Sequence, residues 1–450
     1  MSAETERPAK RRRIRLWHIP VATIVVLVVA IPVMRWHWRR GYRQRVAAVA
    51  AAGYPVKVEE LAAWYPAPMS GENGAQAVLD AAGGYVDRLT SAESRCVREL
   101  FAVTRRDAIK EEDKAALRRL VADNQEVLAS LHAAARFEHH HYEIDWANVS
   151  GWRIEPVERI GEAASLLAYA VLLASEEGRV DDAVDAIVTL SVIGRSLAEI
   201  PTLGTHVSGM YWRDISIGYL ERGMDRRALT DDQLQRLQVA LETEVRPPML
   251  ERALAGHMCM LLPYFMEPAS RAPDGPLLPA PVLKAYGTLG LAARETRVVV
   301  EAMASYIEVT RQPLCEWQNG ATAADAAFEE KFFGCLVVNS EGGFKLSHIL
   351  LRHLRRMARL RAARGAMAVE RYRLARGALP SSLDDLVPAQ LDIVPEDPFT
   401  GQPLRYEKLG KGFVVYSVGP DGRDDGGWEE PPYDLRRGGQ TYDLTFTVGR

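Results

Sequence analysis

The run from Ile19 to Met34 constrains this chain more than any other stretch. It contains no Asp, Glu, Lys or Arg, and only Pro20, Thr23 and Pro32 interrupt its apolar side chains. At ~1.5 Å of helical rise per residue, the flanking Trp17 and Trp36 stand about 28 Å apart, close to the thickness of one bilayer core. Trp17, Trp36 and Trp38 then fall where interfacial aromatic belts lie. Lys10, Arg11, Arg12, Arg13 and Arg15 precede the run, and Arg35, Arg39, Arg40, Arg43 and Arg45 follow it. Basic blocks at both ends of an apolar helix are a membrane signature before they are a nucleic-acid one. A cleavable signal peptide needs a small-x-small site after its apolar region, and Ala30-Ile31-Pro32 is a poor one. The reading is an uncleaved, single-pass transmembrane helix from Ile19 to Met34 in a lipid bilayer. Its flanks carry nearly equal positive charge, so the positive-inside rule discriminates little. The expectation is a short cytoplasmic tail, with the body on the periplasmic side of a bacterial inner membrane.

A chain of 450 residues exceeds one compact core and predicts several units, at roughly 150 residues per domain. Charged residues at 26%, apolar residues at 48% and a net charge of -3 describe an ordinary globular body, for which no nucleic-acid partner is expected. Cys96, Cys259, Cys315 and Cys335 show no CxxC spacing, so they indicate neither a zinc site nor a disulfide framework.

Apolar periodicity makes the fold mainly α with a small α+β C-terminal domain. Helices are expected at Ala75 to Leu89, Glu111 to Ala135, Ile160 to Glu176, Asp181 to Leu197, Gly204 to Arg222, Asp231 to Glu244, Pro248 to Phe265, Ala292 to Val309 and Leu346 to Ala375. The organisation is a tail and transmembrane anchor (1–45), an N-terminal helical region (46–154), a helical-hairpin body (155–345) and a C-terminal domain (346–450). Gly178 is placed to end one helix of a hairpin and Asp181 to cap the next. The segment LLAYAVLLASEEGRVDDAVDAIVTLSVIGRSL, near 163–197, resembles one tetratricopeptide-type unit. No second copy follows at that period, so a bundle of hairpins is the preferred reading.

In the last quarter, Gly401 and Gly412 punctuate two strand patterns, Pro403 to Glu407 and Phe413 to Val418, which read as an antiparallel hairpin on the preceding helix. The Gly-rich loop after it holds Asp421, Asp424 and Asp425, with Glu429, Glu430 and Asp434 beyond. Clustered carboxylates of this kind suit calcium. The EF-hand template fails, because Arg423 and Pro432 occupy its third and twelfth positions.

The order of parts here is a long helix ending in Gly377-Ala378-Leu379-Pro380, then Leu383-x-x-Leu386-Val387-Pro388, Asp397-Pro398-Phe399, a Tyr406 strand and Tyr416-Ser417-x-Gly419-x-Asp421-Gly422. It resembles the C-terminal region of the major pseudopilin of type II secretion systems. The resemblance implies a pseudopilin-like helix with a short antiparallel sheet and Ca2+ in the matching loop, with Asp421 and Asp434 as ligands. Proximity adds Asp425. Pseudopilins also carry a processed leader and a stem helix running directly into this domain, whereas here the apolar helix lies far upstream. A polymerising pilin is therefore not expected.

No GxSxG, SxxK, HExxH, GxxxxGK[ST] or strand-linked GxGxxG occurs. The strongest remaining catalytic candidate is Glu138-His139-His140-His141 with Glu143 and Asp145. In an extended segment His139, His141 and Glu143 share one face and are able to ligate a transition metal. His206, His257 and His353 read as isolated. The expected function is a membrane-anchored, non-enzymatic envelope protein that acts as an interaction scaffold for protein partners. The alternatives are a membrane-tethered metal-dependent hydrolase using the His139 to Asp145 segment, and an accessory component of a type II secretion or pilus-like assembly.

Overall fold

The computed structural model describes residues 18–146, 149, 154–242, 249–266, 279–332, 335, 345–429 and 442–450, with backbone alone at 18–27, 155–156, 242, 264, 280, 283 and 332. The described chain is mainly helical and ends in a small antiparallel sheet.

The first helix, α1 (His18–Ala51), runs without a break from the apolar segment through the basic block, although Pro32 lies inside it. A short α2 (Glu60–Trp64), α3 (Ala75–Gly83) and α4 (Ser91–Glu99) follow. The helix starting at Ala75 is shorter than its apolar pattern suggests, and the expected helix Glu111 to Ala135 is two, α5 (Glu111–Asp123) and α6 (Gln125–Ala134). One buried residue accounts for both differences. Asn124 leaves the helical region and exchanges side-chain hydrogen bonds with the backbone N–H and C=O of Val86, at 2.8 Å each. The backbone of Val86 is thereby satisfied outside a helix, and the α5–α6 junction is stapled to the end of α3.

Helices α7 (Glu155–Glu177), α8 (Val180–Glu199) and α9 (Leu203–Arg226) pack as a three-helix layer. Gly178 ends α7 with a φ of 75°, as its position predicts. The cap of α8 differs from expectation: Arg179 is the N-cap residue, and Asp181 and Asp182 lie inside the first turn. There their charge complements the helix dipole. Gly194 and Gly209 let α8 and α9 approach backbone to backbone, since a Cβ on Gly209 would lie 2.2 Å from the Gly194 carbonyl oxygen.

Beyond these come α10 (Asp231–Glu242), α11 (Met249–Met266), α12 (Ala280–Leu289), α13 (Leu291–Thr310), α14 (Trp317–Phe332) and α15 (Ser347–Arg376). Helices α12 and α14 were not expected. The strands β1 (Arg405–Lys408), β2 (Phe413–Ser417) and β3 (Leu444–Val448) form an antiparallel meander in that order. The register places Tyr406 opposite Val415 and Val415 opposite Phe446.

Two apolar cores result. One joins α1 through Val49 to α11, α13, α14 and the start of α15, around Leu254, Met303, Tyr306 and Leu350. The other joins α3, α5 to α10, the second half of α15 and the sheet, around Leu172, Leu190, Val369, Val415 and Phe446. Helix α15 thus passes through both, and the sheet buries its inner face in the same core as the body. Gly365 makes this close, because a Cβ there would sit 3.1 Å from Val415. The edge strand β3 is held from α9: Glu221 accepts from the Thr447 N–H at 2.7 Å and Asp225 from the Gly449 N–H at 2.6 Å.

Candidate functional site

Helix α1 divides lengthwise into two faces. The inward face carries Tyr42, Val46 and Val49, which pack into the second core against α13. Gly41 lies where a Cβ would come 2.6 Å from Arg297 Nη1, and Arg35 packs against Gly290 at the junction of α12 and α13. Arg45 donates to Glu301 at 2.9 Å, and the same carboxylate collects Arg297 and Lys331, also at 2.9 Å. The outward face is a shallow trough lined by Pro32, Trp36, Arg39, Arg40 and Arg43, with Arg35 at its boundary with the docked side. The Arg40 guanidinium stands 5.2 Å from the centre of the Trp36 ring.

Of the predicted span, Ile19 is described as helical backbone only, whereas Met34 is exposed, as are Val28, Val29 and Val33. Among the residues described with their side chains, no helix is long and apolar enough to cross a membrane. Most of the Ile19 to Met34 run lies outside those residues.

The acidic loop of the C-terminal region is organised around a residue the sequence reading did not single out. Asp443, buried just before β3, accepts from the Gly427 N–H at 2.8 Å and the Asp425 N–H at 3.2 Å. Burial pushes its carboxyl up to about 6, and the charges of Asp425 and Asp424 add to the rise. The backbone of Asp425 is thus tied to Asp443, and its charge acts on that carboxyl. Asp424 is occupied by Arg405 at 2.7 Å and the Tyr416 hydroxyl at 3.0 Å. Asp421 is exposed and accepts from the Arg423 N–H at 3.1 Å, closing a local turn. Asp434 lies outside the described residues. Asp443 is recognisable only once β3 is known, because the sequence offers it as one more isolated acid.

The histidine segment from Phe137 to Trp146 has no regular strand, but Asn73 and His139 form an isolated bridge. His140 points inward to the Ala134 carbonyl oxygen at 2.9 Å. His141 stacks on Tyr65 with ring centres 4.1 Å apart, and His139 stands 3.5 Å from Glu138. Each ring has its own packing partner rather than a shared focus. Among the described residues, no three His, Cys, Asp or Glu side chains are grouped to hold a metal ion.

His206 and His353, which read as isolated, are brought together by α9 and α15. His206 Nε2 lies 3.4 Å from His353 Nδ1, which is also 3.1 Å from Met210 Sδ, and Trp317 stacks on His353. Burial holds both rings well below the usual histidine range, His206 at about 3. They are neutral packing elements at neutral pH. The α15 arginines are likewise used internally: Arg359 pairs with Asp214 at 2.8 Å, and Arg361 donates to the Glu396 carbonyl oxygen at 2.6 Å. The cysteines are free; Cys259 and Cys335 are buried, Cys315 is half-buried and Cys96 is exposed.

No family model, curated protein or solved structure matches this chain.

Proposed function

We propose that this chain is a membrane-tethered, non-enzymatic scaffold, its helical body held against a bacterial inner membrane by α1 on the periplasmic side. One observation carries the reading. The helix that starts in the apolar run continues as one element into the second core, where Val49 is buried and Arg45 pairs with Glu301. A tether of this form fixes the body's orientation as well as its location. The C-terminal region is then a docking module that shares the body's core rather than an appendage. Its resemblance to a pseudopilin favours partners in a secretion or pilus-like assembly. Asp425 and Asp443 support calcium at the acidic loop, because Asp443 is buried beside the charge of Asp425 and a hard cation would relieve its raised carboxyl.

The test of the tether is flotation. The full chain, mixed with vesicles or isolated from cells, should float with membranes after alkaline carbonate washing, and a chain lacking residues 1–34 should remain in the soluble fraction. A full chain that carbonate releases sinks the reading. Sidedness is read at Cys96, the exposed thiol. A membrane-impermeant maleimide should label it in spheroplasts with intact inner membranes. Labelling only after lysis would place the body on the cytoplasmic side.

A further inference from the structure

We propose that the outward face of α1, immediately beyond the apolar run, is a binding site for the headgroups of anionic phospholipids. This rests on the tether reading above. The face is a helical stripe, Pro32, Arg35, Trp36, Arg39, Arg40 and Arg43, spaced three and four residues apart so that the side chains share one side. Arg45, on the inward side of the same helix, has Glu301, whereas Arg35, Arg39, Arg40 and Arg43 have no acidic partner among the described residues. Elsewhere among the described residues, Arg222 and Arg226 pair with Glu176, and Arg371 with Asp231. The α1 stripe departs from that pattern.

Position along the helix identifies the ligand. If Met34 marks the end of the hydrocarbon, Arg39 and Arg40 stand roughly 8–9 Å above it at ~1.5 Å per residue, near the outer limit of a headgroup layer some 5–8 Å deep. Side chains lean toward the N-terminus of their helix, which here is the bilayer side, so the guanidinium groups reach back to phosphate level. Arg43 stands about 13 Å up, and its long side chain brings its charge to within a Debye length of the lipid surface. Trp36 is 60% exposed below Arg40, a platform of the kind that sits at the interface and orients a guanidinium above it. Val28, Val29 and Val33 beneath are also exposed, so described protein leaves the acyl side of the stripe open. Guanidinium forks match phosphate oxygens two at a time, which favours a phosphodiester headgroup whose net charge is not cancelled by choline.

The full chain would be reconstituted in phosphatidylcholine vesicles carrying a trace of spin-labelled phosphatidylglycerol or spin-labelled phosphatidylcholine. The motionally restricted fraction of each label would then be measured. The expected result is a several-fold preference for the anionic label. Each of Arg39→Gln, Arg40→Gln and Arg43→Gln should lower it, by at most roughly five-fold, the factor equivalent to about 1 kcal/mol per basic residue near an anionic surface, and the triple variant should abolish it. All three side chains are exposed, so the variants should fold, and Arg45→Gln serves as a control that keeps the preference. Equal restriction of both labels, or a preference that survives the triple variant, overturns the proposal. Loss of the preference in millimolar inorganic phosphate at constant ionic strength would reassign the stripe to free phosphate and also overturns it. A chain that fails to float with the vesicles defeats the tether and this site together. A chain that floats without selectivity defeats this site alone.

Discussion

At the residue scale, a few buried polar side chains do most of the joining between distant segments. Glu221 is buried on α9 and binds the β3 backbone, and burial raises its carboxyl to about 7. Because that lies above the ordinary glutamate range, the protonated form favours folding. The contribution is complete below about pH 4.3 and is lost as pH rises through 7. Glu221→Gln keeps an acceptor for Thr447 and cannot ionise. Denaturant unfolding should therefore show it more stable than the parent by about 3–4 kcal/mol at pH 8, with the difference shrinking toward pH 5. Glu221→Ala orphans the Thr447 N–H and should cost about 1–3 kcal/mol. Asp443 tests the calcium part of the reading. Calcium should raise the melting temperature of the chain relative to chelator, since a ligand of the folded state must stabilise it, and Asp443→Asn should abolish most of that rise. Identical melts of the parent in calcium and in chelator would end the calcium assignment.

At the element scale, the approach of α8 to α9 is set by glycine rather than by interlocking large side chains. A methyl on Gly209 meets Gly194 and Ala198 backbone atoms at 2.2 and 2.9 Å, and neither atom is able to rotate away. Gly209→Ala should force the helices apart and cost about 1–3 kcal/mol or more in urea unfolding. Gly218, on the same helix, meets only the far end of Arg359 at 3.4 Å. Gly218→Ala should be neutral or stabilising by up to about 1 kcal/mol, as helix propensity alone dictates. Equal effects at both positions would show that close packing does not govern this layer. Elements also explain where apolar periodicity misled: the pattern through Glu111 to Ala135 is continuous, but Asn124 gains more from the Val86 backbone than from one unbroken helix.

At the scale of the whole molecule, the two cores and the seam between body and sheet set the response to pH. His206, His257 and His353 are all lowered by burial, so they fold as neutral rings. Their contribution is present above about pH 6.5 and is lost as pH falls below it, at up to about 1.4 kcal/mol per pH unit for each ring. Glu221 acts in the opposite direction between about pH 4.3 and 7, where it offsets the share of one ring, and adds no slope above that. Stability in equilibrium unfolding should consequently rise from pH 5 and level off near pH 6.5 to 7, and a His206→Gln, His353→Gln variant should lose much of the acid-side fall. A parent chain with a flat profile from pH 5 to 7.5 would refute this account. What the sequence by itself determined is local: the apolar run and its basic flanks, the hairpin turn at Gly178, most helix positions, and the helix-plus-hairpin pattern of the last quarter. Each is written in periodicity, charge or a backbone-permissive residue within a few turns. Only the tertiary structure decided what depends on contact between distant segments. It divided α1 into a docked face and an exposed arginine face, joined His206 to His353 across α9 and α15, and brought Asp443 to Asp425 through β3. It also placed the sheet in the body's own core. Those pairings come from burial, which selects among distant partners by shape and satisfied hydrogen bonds, and neither quantity is carried by the spacing of residues along the chain.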